Sequence, residues 1–162
     1  MASTYTPIVT NTLTSATSTV TFSSIPATYT DLILIVTASS ASGGTQDVGI
    51  RFNNDSGSNY SRIRLNGNGS AASTGRNAAV TVGYGLITTT TAPTVGTVQI
   101  NSYSNSSTYK NFLYRASEAS DSAALGVVSW ASTAAINRID VLGMSYNFAI
   151  GSTFTIYGIK AA

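Results

Sequence analysis

Short β-branched runs broken by turn residues leave this chain few ways to fold. The longest strongly apolar run, Leu32–Val36, is five residues. Clusters of Gly, Asn, Ser and Pro interrupt the sequence before any stretch reaches the length of an ordinary helix. Helix formers are scarce too: one Glu and two Lys stand against 24 Thr, and Thr, Val, Ile and Tyr favour a pleated, half-buried surface. The spacing predicts strands at Thr4–Thr10, Thr17–Phe22, Asp31–Ala38, Val48–Phe52, Tyr60–Leu65, Ala78–Val82, Thr94–Asn101, Asn111–Ala116, Ala123–Trp130, Asn137–Leu142 and Thr153–Ile159. Eleven short strands with turn signals between them describe a sandwich or barrel.

Apolar patterning predicts depth. Asp31–Thr37 and Ala123–Trp130 are nearly continuous apolar runs, as expected of central strands covered on both faces. Val48–Phe52 and Tyr60–Leu65 alternate instead, which would turn Val48, Ile50, Phe52, Ile63 and Leu65 inward and Arg51, Arg62 and Arg64 outward. The linker Asn53–Asn59 has turn composition, so the two strands should form a hairpin. Its outer face, with Arg51, Arg62 and Arg64, is a candidate polar contact face, because guanidinium groups suit carboxylate, sugar or phosphate oxygens. Asn66–Asn77, Thr88–Thr94 and Asn101–Lys110 read as loops.

Missing residue types exclude much chemistry. Without His or Cys there is no His-based triad, cysteine nucleophile, disulfide or ordinary zinc site. Charged residues are only 9% of the chain, and 48 of 162 residues carry a Ser or Thr hydroxyl. A net charge of +2 spread along the sequence lacks the clustered Lys and Arg that phosphate binding needs, so no nucleic acid is expected. A membrane partner is not expected either, since a spanning helix needs about 20 apolar residues. The Ser/Thr-rich residues after Met1 have no basic start or apolar segment, which suggests no secretion signal.

Asp47 and Asp55 flank the expected hairpin, the one arrangement resembling a glycosidase carboxylate pair. Both lie in or beside turn sequence, where Asp serves local hydrogen bonds. Asn53, Asp55, Gly57 and Asn59 faintly resemble a calcium loop but lack its distal Glu. Asn-x-Ser/Thr triplets at Asn54, Asn59, Asn68 and Asn105 are what this composition yields by chance. We therefore expect no enzyme, no cofactor and no metal. Two Lys and three Pro are also too few to protect the edges of so many strands, which points to an oligomer or a component of a larger assembly.

Four blocks carry a family resemblance: Ile25-Pro-Ala-Thr-Tyr-Thr-Asp-Leu-Ile-Leu-Ile-Val36, Ile50-Arg-Phe-Asn-Asn-Asp-Ser-Gly-Ser-Asn-Tyr-Ser61, Asn66-Gly-Asn-Gly-Ser70 and Gly151-Ser-Thr-Phe-Thr-Ile-Tyr-Gly-Ile-Lys-Ala-Ala162. In this order they resemble small virion proteins of tailed bacteriophages, many from marine and cyanobacterial phages. The resemblance implies an all-β, jelly-roll-like antiparallel β-sandwich, over residues 20–162, and the uncharged, Ser/Thr-rich residues 1–19 before it read as an extended N-terminal arm. It also implies a structural place in the virion, after assembly in the host cytoplasm. Within that group the short chain fits a capsid decoration (cement) protein, with the major capsid protein and sister subunits as partners and a trimer as the guessed oligomer. Tyr5, Ile8 and Val9 are the candidate assembly interface, clamping the arm to a neighbour by strand addition. The alternative is a receptor-binding tip of a tail fibre that recognises host surface glycans through the 66–77 and 88–94 loops.

Overall fold

A computed structural model describes residues 4–118 and 122–160. The first three residues of the expected arm and the last two of the closing block lie outside them. Twelve strands run through the described chain: β1 (Tyr5–Thr12), β2 (Thr19–Phe22), β3 (Asp31–Ala38), β4 (Gln46–Phe52), β5 (Tyr60–Gly67), β6 (Ala72–Val80), β7 (Gly83–Thr88), β8 (Thr94–Ile100), β9 (Lys110–Glu118), β10 (Ser122–Trp130), β11 (Ile139–Gly143) and β12 (Thr153–Ile159). They form an all-β, antiparallel sandwich of unequal layers. The larger sheet has eight strands in the order β1-β12-β3-β8-β9-β10-β5-β6, and the smaller has four, β2-β11-β4-β7. Residues 5–12 of the expected arm are β1 itself, paired with β12 at one margin of the larger sheet.

The core fills the space between the layers with Leu32, Leu34 and Val36 of β3, Val48, Ile50 and Phe52 of β4, Phe112 of β9, Val128 and Trp130 of β10, and Phe154 and Ile156 of β12. Phe52 keys the layers together. Its ring meets Phe112 edge-on at 5.7 Å and Trp130 at 5.6 Å, geometries in which positive ring edges face negative ring faces. Tyr60 stacks on Trp130 at 6.3 Å, and its hydroxyl accepts the Phe52 backbone N–H at 2.9 Å. A second ring cluster joins Phe148 to Tyr146 at 5.4 Å and to Phe154 at 5.0 Å.

β7 was not expected from the sequence. Its Gly83 lies so close to the larger sheet that a Cβ there would stand 2.7 Å from Val128 Cγ1 and 2.9 Å from Phe112 Cζ. Glycine permits that approach while lowering strand propensity. The segment expected as a loop, Asn66–Asn77, is mostly β6, joined to β5 by a turn in which Asn68 Oδ1 accepts the backbone N–H groups of Ser70 and Ala71 at 3.1 and 2.8 Å.

Two expectations about the arginine strands fail together, and one about strand depth fails with them. β4 and β5 lie in different sheets, so they are no hairpin. The Asn53–Asn59 link crosses between layers. Asn53 and Asn54 take left-handed backbone φ of 51° and 57°, and the Asn53 side chain donates to Ala135 O at 2.8 Å while accepting from Asn137 N at 3.0 Å. On β5 the faces are reversed: Arg62 is 8% exposed, whereas Ile63 and Leu65 are 62% and 50% exposed. Tyr60 and Ile63 have opposite parity, so no register buries both. Stacking on Trp130 and bonding to Phe52 fix Tyr60 inside. Finally, β3 and β10 are central in sheet order but covered on one face only: Leu125 and Val127 of β10 are exposed.

Candidate functional site

Arg51, Arg62 and Arg64 share no outer face. Arg51 sits on the smaller sheet, its Nε donating to Thr81 O at 3.4 Å. Arg62 lies inside the margin of the larger sheet, where its guanidinium donates to Asn77 Oδ1 at 2.8 Å and covers the Tyr84 ring at 5.4 Å. Arg64 is half-buried beside Gly75 of β6. Lys110 is buried as well; its Nζ donates to Thr108 O at 2.7 Å and Thr133 O at 3.1 Å, and burial pulls its pKa below the usual lysine range. Arg138 is tied to the buried carboxylate of Asp140 at 2.9 Å, which also accepts the Thr21 hydroxyl at 2.6 Å. These cations brace the fold.

Asp55 is occupied in the same way. Its Oδ1 accepts Gly57 N at 2.8 Å, and Oδ2 accepts Asn59 Nδ2 at 2.9 Å and Trp130 Nε1 at 2.6 Å. Burial opposes the charge, yet the bonds from Trp130, Asn59 and Gly57 outweigh it and hold this carboxyl below the ordinary range. Of the residues that faintly resemble a calcium loop, Asp55 spends both oxygens on the turn and the core tryptophan, and Asn53 Oδ1 accepts the backbone N–H groups of Asn137 and Arg138. No group of three or more His, Cys, Asp or Glu among the described residues could hold a metal ion.

Four strands end the sheets, and they are not equally protected. β1 carries Pro7 and a register shift between Pro7 and Val9, both of which discourage strand addition. β2 has four residues, and β7 packs across onto β9 and β10. β6 is the open margin. It has nine residues, contains no Pro or Lys, and keeps unbroken register with β5 from Ala72 opposite Gly67 to Asn77 opposite Arg62, shifting only at its far end, where Val80 stands opposite Tyr60. Its one charged residue is Arg76. Of the expected arm contacts, Ile8 packs against the core, while Tyr5 and Val9 are 53% and 38% exposed.

The outward face of the larger sheet is apolar across its centre. Leu113 lies opposite Val127, Val127 opposite Ile63, and Leu125 opposite Leu65 on successive strands. All five are exposed, as is Val95. Two shallow hollows of about 550 and 360 Å³ meet on this face at Thr97, Arg115 and Leu125, and Tyr5 lines the smaller. The signal for this face was apolar residues at both parities of β5, β9 and β10, which a single buried face cannot use.

No protein-family model matches the chain, and no curated protein matches it.

Proposed function

We propose that this chain is a structural protein of a tailed-bacteriophage virion, a capsid decoration (cement) protein that binds the major capsid protein and its own sister subunits without catalysis. The observation that carries the assembly reading is β6, a nine-residue margin without Pro or Lys whose register with β5 is unbroken over Ala72–Asn77 and shifts only beyond it, before Val80. An added strand from a capsid subunit would extend the eight-stranded sheet through main-chain hydrogen bonds. The phage assignment comes from the four resembling blocks, which supply β3, the inter-layer link, the β5–β6 turn and β12.

Thr74→Lys places a second cation beside Arg76 on that margin. It lowers capsid occupancy about tenfold while leaving the fold intact, because the position is exposed. Raising salt changes wild-type occupancy little, since main-chain bonds and apolar burial are weakly screened. Unchanged occupancy in Thr74→Lys removes β6 from the contact. A second variant tests the arm: Tyr5→Ser with Val9→Ser removes the exposed side chains while keeping the β1–β12 pairing. Its occupancy should fall, and wild-type occupancy would exclude the arm.

Copy number per virion decides position. A count comparable to the major capsid protein supports decoration. A handful of copies, together with adsorption of the purified protein to host cells, supports the fibre-tip alternative. Absence from purified particles defeats both.

A further inference from the structure

We propose that the inward face of β5, where it runs past the margin of the smaller sheet, binds a carboxylate-bearing sugar, a hexuronate residue of a glycan. This goes beyond the assembly reading and is measured without a capsid.

The unequal layers make the site. β7 ends the smaller sheet and packs across onto β9 and β10, so β5 and β6 reach past it. Alternation turns Tyr60, Arg62, Arg64 and Asn66 to the same inward side. Tyr60 joins the core rings; the three that follow are polar where a core strand would be apolar. Between them and the smaller sheet lies a hollow of about 420 Å³, lined by Arg64, Asn66 and Ser122 from the larger sheet and by Asp47, Tyr84 and Ile87 from the smaller. Its volume is that of a small-ligand site.

Unspent hydrogen bonds and charge single this face out. Among the described residues, the buried side-chain polar atoms without a hydrogen-bond partner are Arg62 Nε and Asn66 Oδ1. Both belong to this one strand face, on either side of Arg64. Buried polar atoms are nearly always paired, so an orphan calls for a further partner. Arg62 is 8% exposed, yet its partners are neutral: Asn77 Oδ1 at 2.8 Å and the Tyr84 ring at 5.4 Å. Buried charges are ordinarily paired with opposite ones. Arg64 lays its stem across Gly75, where a Cβ would stand 3.0 Å from Nε. Its guanidinium has no hydrogen bond or ion pair among the described residues, whose one ion pair joins Arg138 to Asp140.

These demands fix the chemistry of the ligand. Two guanidiniums without a carboxylate call for an anion, and the planar fork of Arg64 matches a carboxylate through two parallel bonds. Asn66 Oδ1 and the exposed Asp47 carboxylate accept, so the ligand must also donate. Asn66 is half-buried, and rotation of its amide turns Oδ1 into the hollow. Asp47 belongs to the smaller sheet and Arg64 to the larger, so the anionic group and a donor must stand at different ends of one ligand. A hexuronate has that layout. Its carboxylate sits on one ring carbon and its hydroxyls on the others, with ring C–H groups to rest on Tyr84 and Ile87. A simple carboxylate lacks the donors, and a neutral hexose lacks the anion.

Amide chemical shifts of the full chain, followed while glucuronate, glucose or acetate is added, test this. Glucuronate should saturate with a Kd on the order of 1 mM, as expected of so small a polar ligand. Its shifts should centre on β5, β7 and the start of β4. Glucose and acetate should each bind about tenfold more weakly or worse, one lacking the charge-assisted pair and the other the hydroxyl donors. Arg64→Gln should erase the preference for glucuronate over glucose, and Asn66→Ala should weaken both sugars about fivefold. Lys160→Gln makes the same change of charge beyond β12, at the other end of the strands, and should alter neither affinity. Added salt should weaken glucuronate and spare glucose. The proposal is overturned if glucuronate does not saturate, if glucose or acetate binds as tightly, or if a folded Arg64→Gln keeps the preference. Should Arg64→Gln not fold, wild-type affinity in Asn66→Ala overturns it. Neither outcome bears on capsid binding through β6.

Discussion

Phe52→Ala should lower the free energy of unfolding by about 3–5 kcal/mol, the usual cost of deleting a fully buried aromatic ring. Phe52 is fully buried and belongs to β4 of the smaller sheet, yet its ring partners Phe112 and Trp130 belong to the larger. Truncation therefore removes contacts that no neighbour within its own sheet can replace, and it opens a void against Phe112 and the stacked pair Tyr60 and Trp130. Collapse is further hindered because Tyr60 is held by its bond from the Phe52 backbone N–H. A denaturant titration should show the midpoint falling with little change in slope, since the surface exposed on unfolding is nearly conserved. Phe52→Leu keeps most of the volume and should cost about 1–1.5 kcal/mol. Tyr60→Phe should cost about 1–2 kcal/mol by leaving the buried Phe52 N–H without its acceptor. Were Phe52→Ala to cost less than the leucine variant, the two layers would not be keyed at this residue.

The ease of reading each strand followed from how much its own residues decide. β3 and β12 were legible to the residue because their apolar runs are bounded by turn signals and pair in unbroken register. On β4 the inward set Val48, Ile50 and Phe52 was legible from alternation alone. β5 was misread because its apolar residues fall on both parities, and a contact distant in sequence, Tyr60 on Trp130, made the choice. β6 has the composition of a loop, Ala-Ser-Thr-Gly-Arg-Asn, and is a strand because β5 supplies a ladder for it. β7 was hidden by glycines whose reason is the opposite sheet. The arginine face dissolved for a related cause: turn composition at Asn53–Asn59 announces a change of direction but not whether the chain returns to the same layer. Poor edge protection was visible in the counts of Lys and Pro, but which edge stays open needed the sheet order.

Asp55→Ala should cost about 2–3 kcal/mol, as expected when a charged acceptor is removed from a buried donor. Trp130 Nε1 loses its 2.6 Å partner, and the turn loses the bonds from Gly57 N and Asn59 Nδ2. The dependence on pH separates charge from mere hydrogen bonding. Because the folded carboxyl titrates below the ordinary aspartate value, which is about 3.9 in an unfolded chain, the unfolded state takes up its proton first as pH falls. The stabilisation is therefore complete above the unfolded value and is lost as pH drops through the depressed folded one. Asp55→Asn keeps an oxygen acceptor for Trp130 but carries no charge at any pH. Wild type should exceed this variant in stability near neutrality, and the gap should close as acid protonates Asp55 in the folded protein. Equilibrium unfolding of both proteins along a descending pH series measures the gap directly. A gap that stays constant through that range would mean that the shape of the Asn53–Asn59 link, rather than the charge of Asp55, holds Trp130 and the inter-layer link in place.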